Sequence, residues 1–332
     1  MCGQFGVSRQ LAVPSSLRGI AAVSLSFVLA VAASTGDAVA ADREAIGATE
    51  QRTLQVGAVQ RSYRLHVGTG LDSARPAPLL LVFHGGGGTP QQIERESRFS
   101  ELADREAFVV AYPEGQRRGW NDGRNSEAIA AQRDGSDDIG FVAALIDELS
   151  ASLRIDPKRI YATGISNGAM FSHRVALELS PRIAAIATVA GGLPQPLLAR
   201  FDPQAPVSAL IVHGTLDPLV PYGGGEVNVL ARARGSVAGA EETARRWAAH
   251  DGCGATPLVQ PVADPAGVCT VTQLVHPSCG HATSVVLLRL DGGGHTWPGG
   301  SQYLPEGLVG KVCRHVDGTA LIWEFLQRHP KP

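Results

Sequence analysis

Continuous apolar runs alternate along this chain with stretches whose apolar positions recur every third or fourth residue, and the two patterns specify different elements. Leu79-Leu80-Leu81-Val82-Phe83 and Phe108-Val109-Val110-Ala111 contain no polar position, as expected of strands covered on both faces. Arg159-Ile160-Tyr161-Ala162-Thr163, Ile183 to Ala190, Leu210-Ile211-Val212 and Val285 to Leu290 read as further strands. Tyr63 to Val67 alternates as an early one. Between them Val142, Leu145, Ile146, Leu149 and Leu153 fall on one helical face, with Asp137 or Asp138 in position to cap it. Ala169 to Leu179, Glu241 to His250 and Leu321 to Leu326 continue the helical series. Strands alternating with helices predict an α/β fold, with a mostly parallel, doubly wound sheet in a single domain over residues 41–332.

The first forty residues do not fit that pattern. Arg9 and Arg18 precede an apolar run, Gly19 to Ala33, and Ala38-Val39-Ala40 supplies the small residues that signal peptidases read. Residues 1–40 are therefore expected to be a secretory signal peptide, cleaved after Ala40. The run is about 15 residues, short of the roughly 20 a spanning helix needs, so no stable membrane association is expected after cleavage. The expected destination is extracellular or periplasmic.

Composition narrows the function. The 332 residues are 44% hydrophobic and 18% charged, enough apolar material for a large core. Lys+Arg 29 against Asp+Glu 31 leaves a net charge of −2, which argues against a nucleic-acid partner. With Cys2 in the leader, Cys253, Cys269, Cys279 and Cys313 remain. A zinc site competes as a reading, but no C-x-x-C pair occurs and the spacings are wide. Two disulfides suit an oxidising compartment better, and four cysteines allow three connectivities. No metal and no cofactor is expected.

The candidate chemistry starts at Gly164-Ile165-Ser166-Asn167-Gly168, a G-x-S-x-G pattern. In a glycine-rich chain of this length the bare pattern arises by chance on the order of 0.3 times, so context decides. The pattern follows the strand Arg159–Thr163 directly and opens the helix Ala169–Leu179, the strand–turn–helix setting of a nucleophile elbow. The plain alternative is a helix-capping serine.

A serine hydroxyl needs a base to attack a carbonyl. His295 is the one histidine beyond Ser166 in a glycine-rich loop straight after a strand, in Gly292-Gly293-Gly294-His295-Thr296-Trp297. Asp217, in the turn after Leu210–Val212, has the position of the acid that orients the base, although aspartate before proline is also a common turn residue. His84-Gly85-Gly86-Gly87-Gly88 follows the strand Leu79–Phe83 and can offer backbone N–H groups to a developing oxyanion. Gly86 and Asn167 are the expected donors, with His84 holding the loop. Trp120 and Trp297 are expected in the substrate pocket.

His84-Gly85-Gly86-Gly87, Gly119-Trp120-Asn121-Asp122, Gly164-Ile165-Ser166-Asn167-Gly168, His213-Gly214-Thr215-Leu216-Asp217 and Gly294-His295-Thr296-Trp297-Pro298-Gly299 together resemble the secreted polyhydroxybutyrate depolymerase and feruloyl esterase family of α/β-hydrolases. The resemblance runs over about residues 60–330. It implies an α/β-hydrolase fold with Ser166 as nucleophile, Asp217 as acid and His295 as base. It also implies a Cys253–Cys279 pairing, leaving Cys269 and Cys313 for each other. Many extracellular depolymerases carry a linker and a polymer-binding domain, whereas this chain stops at Pro332 right after its last helix; weak attachment to crystalline polymer is therefore expected.

The expected activity is hydrolysis of short 3-hydroxyacid polyesters through an acyl-enzyme. A feruloyl or acetyl-xylan esterase uses the same parts. A catalytically silent binding protein is disfavoured, because no triad member is missing.

Overall fold

The continuous apolar runs form the middle of a sheet, and their alternation decides which layer each side chain enters. In the computed structural model residues 48–72, 74–262 and 269–332 are described, and all fall in the compact unit Arg43–Pro332. The leader read over residues 1–40 lies outside them. In chain order the strands are β1 (Thr49–Val56), β2 (Val59–Val67), β3 (Ala77–Phe83), β4 (Val109–Pro113), β5 (Ile155–Ile165), β6 (Ala185–Val189) and β7 (Ser208–Gly214). They continue as β8 (Gly224–Val229), β9 (Arg232–Ala238), β10 (Leu258–Val262), β11 (Thr270–His276) and β12 (Val285–Asp291).

Among the described residues ten of these strands form one sheet, in the order β1-β2-β4-β3-β5-β6-β7-β12-β11-β10. The six in the middle, β4 to β12, run parallel, and antiparallel pairs finish both edges. Leu79, Leu81 and Phe83 of β3 pack on one face with Phe141, Leu145 and Ile146 of the helix Asp138–Ser152. Leu80 and Val82 enter the other face with Phe99, Leu102 and Trp323. Ala209 and Ile211 of β7 divide from Leu210 and Val212 in the same way. Each such buried Leu, Ile, Val or Phe side chain contributes about 1.5–3 kcal/mol. Layers on both faces are the α/β-hydrolase arrangement expected from the alternating elements.

Asp137 caps the helix Asp138–Ser152, accepting the Gly140 N–H at 2.8 Å. Boundaries shift by a few residues: the strand expected at Phe108–Ala111 is Val109–Pro113, and Ile183–Ala190 contracts to Ala185–Val189. Both disulfides form, Cys253–Cys279 and Cys269–Cys313. The first ties the end of the helix Ala240–His250 to the β11–β12 connection; the second joins the start of β11 to the segment after the His295 loop. β8 and β9 form a separate hairpin whose Val227 and Val237 pack with Val220 and with Met170 of the helix Asn167–Glu178. No described helix is long and apolar enough to cross a membrane.

The sheet's topology positions the site. His84, Ser166, Asp217 and His295 each follow the carboxyl end of a parallel strand, β3, β5, β7 and β12 in turn. Ligands of open α/β sheets bind at that edge.

Candidate active site

Ser166 stands between β5 and the helix Asn167–Glu178 with φ 57° and ψ −121°, a left-handed conformation costly for any residue but glycine. Its surroundings hold it there. Its N–H donates to Val189 O at 2.9 Å, and Met170 N–H donates to Ser166 O at 3.0 Å. The turn tolerates no side chains beside it: a Cβ on Gly168 would lie 2.3 Å from Phe83 O, and one on Gly164 would lie 2.6 Å from the same oxygen. Ser166 and His295 face a common cavity of about 740 Å³.

Asp217 and His295 meet as expected. His295 Nδ1–H donates to Asp217 Oδ2 at 2.7 Å, so in the neutral imidazole Nε2 is the acceptor nitrogen. Asp217 Oδ1 accepts the N–H groups of Leu219 and Val220, each at 2.9 Å. Burial opposes ionisation of this carboxyl, but attraction to His295 and hydrogen bonding from His213 and His295 outweigh it and hold Asp217 well below the usual carboxylate range. His213 Nε2–H donates to Val220 O at 2.9 Å, fixing the turn that carries Asp217. His295 is held through its backbone: its N–H donates to Val309 O, and Tyr303 Oη–H donates to its carbonyl oxygen at 3.1 Å. Among the described residues no hydrogen bond joins the Ser166 hydroxyl to His295. Such bonds are often long in a free enzyme and tighten with substrate.

The glycine loop after β3 uses its donors selectively. Gly87 N–H donates to Arg118 O and Gly88 N–H to Gly85 O, at 2.7 and 2.9 Å. Gly86 packs against Asn167, where an added Cβ would stand 3.6 Å from the Asn167 Cβ. The two expected donors are therefore neighbours. His84 accepts Gly115 N–H at Nε2 (3.0 Å) and donates Nδ1–H to Gly85 O (2.8 Å). Burial lowers its pKa to about 4, so the neutral imidazole that makes both bonds persists.

Two expected contacts require correction. Trp120 and Trp297 are fully buried and neither lines the cavity. The Trp120 indole N–H turns inward to His84 O at 2.9 Å and its ring stacks on Phe171. The Trp297 N–H goes to Thr319 Oγ at 3.0 Å and its ring meets Phe99 edge-on. A buried indole needs a hydrogen-bond acceptor, and both find one in the core rather than in the cavity. The Trp120 loop instead braces the turn: Asn167 Oδ1 accepts Trp120 N–H at 2.7 Å, and Asn167 Nδ2 donates to Asp122 Oδ2 at 2.6 Å.

The cavity walls hold residues that the sequence reading missed. Arg95, Arg117, Arg118, Arg124 and Arg234 all line it, and Glu96 is the carboxylate among its described lining residues. Arg124 stands two residues beyond Asp122, but nothing in the sequence pairs it with Arg234.

A model of the esterase PHB (polyhydroxybutyrate) depolymerase family matches residues 61–194. The chain is 32% identical over 303 residues to "Putative esterase NocK" of Nocardia uniformis subsp. tsuyamanensis, covering 84% of this chain and 82% of that protein. It is 28% identical over 233 residues to "Feruloyl esterase B" of Piromyces equi, covering 68% of this chain and 41% of the relative. Among solved structures, an acetyl xylan esterase from Aspergillus awamori superimposes with a TM-score of 0.56 at 16% identity, over 75% of this chain and 94% of that one. That likeness is one of fold.

Proposed function

The chain belongs to the PHB depolymerase family of esterases and hydrolyses carboxylic esters; from that premise we propose that it forms an acyl-enzyme on Ser166 and acts on short polyesters of 3-hydroxy acids. The observation that carries the reading is the 2.7 Å bond from His295 Nδ1 to Asp217 Oδ2, with Ser166 on the same cavity.

In this reading His295 Nε2 takes the Ser166 proton as Oγ bonds to the ester carbonyl carbon. The carbonyl electron pair moves onto oxygen, where the N–H groups of Gly86 and Asn167 stabilise it. One such donor is worth about 10²–10³ in rate. Collapse breaks the bond to the alcohol, which leaves with the proton from His295, and the acyl group stays on Ser166. A water that gives its proton to His295 then attacks the acyl carbonyl, and the acid departs as Ser166 regains its proton. Asp217 remains ionised throughout and offsets the imidazolium charge.

A second reading, a feruloyl or acetyl-xylan esterase, draws support from the similarity to the Piromyces equi enzyme. Export to an oxidising compartment belongs to the same proposal and draws support from the two disulfides.

A fluorophosphonate probe should label the wild-type protein and spare Ser166→Ala, with a metal chelator changing nothing. Equal labelling of both proteins contradicts the mechanism. Release of 3-hydroxybutyrate from oligomers, run beside release of ferulate from a model ester, decides between the two substrates.

A further inference from the structure

The cavity beside Ser166 is lined by five arginines and one glutamate, in a chain whose overall charge is −2. Arg117 reaches Asp134 at 3.7 Å, and Arg118 Nε–H donates to Gly88 O at 3.3 Å. The two arginines that stand out are Arg124 and Arg234.

Arg124 is 5% exposed. Its Nε and Nη2 both donate to Asp122 Oδ2, at 2.9 and 2.7 Å. Asp122 is then saturated, since it also accepts Arg124 N–H, Gln132 Nε2 and Asn167 Nδ2. Arg124 Nη1 is left buried with no acceptor. Arg234, on β9 of the hairpin, has a buried Nε with no acceptor. A Cβ on Gly235 would lie 3.0 Å from the Arg124 Cβ, so the hairpin rests directly on Arg124. Burial and the repulsion of Arg124 and Arg232 lower the Arg234 pKa.

Buried N–H groups without acceptors are rare, and two on neighbouring like charges in one wall are destabilising unless an anion completes them. The site is also anchored to the reaction centre. Asn167, the residue after Ser166, bonds Asp122, and Asp122 holds Arg124. Resting on the esterase reading above, we propose that Arg124 and Arg234 bind a carboxylate of the substrate, so that the preferred substrate is an ester carrying a free carboxylate close to the bond that is cleaved. Such a carboxylate ends every hydroxyacid oligomer and also occurs on each ring of a polyuronide. The first source fits the family, and it makes the enzyme one that trims short chains from their carboxyl end.

The test compares 3-acetoxybutyrate with its methyl ester by release of acetate; both carry the carboxyl group on the alcohol side of the scissile bond, as the end of a hydroxyacid oligomer does, and only the first carries it as a free charge. A charge-assisted hydrogen bond predicts a kcat/KM ratio of about ten to one hundred in favour of the free acid. The ratio should fall toward one in Arg234→Gln, survive in part in Arg234→Lys, and shrink as salt rises. Arg234 lies on a half-exposed hairpin, so this variant avoids disturbing the buried Asp122–Arg124 pair. Equal rates on the two esters in the wild type would overturn the carboxylate site and leave the esterase reading standing. Hydrolysis of neither would overturn both.

A second pair of arms locates the carboxylate. Preference for the 3-hydroxybutyrate trimer as free acid over its methyl ester assigns it to the oligoester. Equal trimer rates with preference for acetylated oligogalacturonate over acetylated xylo-oligosaccharide assigns it to a uronide.

Discussion

Two walls of one cavity are built on opposite plans. On the His295 side the protein supplies its own partners: Asp217 accepts two backbone N–H groups and the imidazole. On the Arg124 side it leaves donors without acceptors, with Arg124 Nη1 and Arg234 Nε both buried and unpaired. The first wall is complete before substrate arrives, as preorganised catalysis requires. Under the carboxylate proposal the second is completed by the substrate. Reaction and selectivity would then reside in separable parts of this site, one at strand ends and one between a loop and a hairpin.

The changes that separate the walls most sharply fall on the complete one. Ser166→Ala should lower kcat by about 10⁴–10⁶ with the melting temperature close to wild type, because residual rate comes only from binding and the oxyanion donors. Steady-state kinetics beside a thermal melt checks this; substantial turnover in the variant would dissolve the distinction between the walls. Asp217→Asn should cost about 10⁴ in kcat by favouring the wrong imidazole tautomer, with KM little changed. A loss carried mainly by KM would move Asp217 to the binding wall.

Next in size is an effect of acid on the loop both walls share. His84 titrates near 4 in the fold, below its ordinary value of 6.5. The unfolded chain therefore takes up a proton first as pH falls, and stability is lost from pH 6.5 down to about 4, by on the order of 3 kcal/mol. Melts at pH 7 and pH 4.5 should differ by several degrees, and the gap should narrow in His84→Gln. An unchanged gap would show that His84 does not hold the loop.

The smallest expected effect concerns Glu96, which faces the cavity with one oxygen buried and unpaired. Burial pushes its pKa up to about 7, partly countered by His295. Because the folded state keeps this proton longer, stability falls as pH rises from about 4.5 through 7. Glu96→Gln should thus raise the melting temperature at pH 8 and leave it nearly unchanged at pH 4.5. A lowered melting temperature at pH 8 would mean that the charged carboxylate is paired with the arginines.

What the sequence disclosed follows the same division. Ser166, Asp217, His295 and the His84 loop were readable because each is a short motif at the end of an apolar run, and a parallel sheet brings such ends to one edge. The hairpin was not. Gly224–Val229 and Arg232–Ala238 mix glycine, charge and scattered apolar positions, and neither carries a period. Arg124 and Arg234 are joined only by the folded chain. Trp120 was misread because position on a loop does not fix the direction of a side chain; the His84 carbonyl and the Phe171 ring drew it inward.

Passage of an acyl group through Ser166 is tested most directly by mixing the wild-type protein with a 3-hydroxybutyrate oligoester, quenching in acid within one turnover, and mapping the peptides by mass. A hydroxybutyryl adduct is expected on the peptide carrying Ser166, disappearing as turnover completes. Hydrolysis with no adduct there, or with the adduct on another residue, would contradict it.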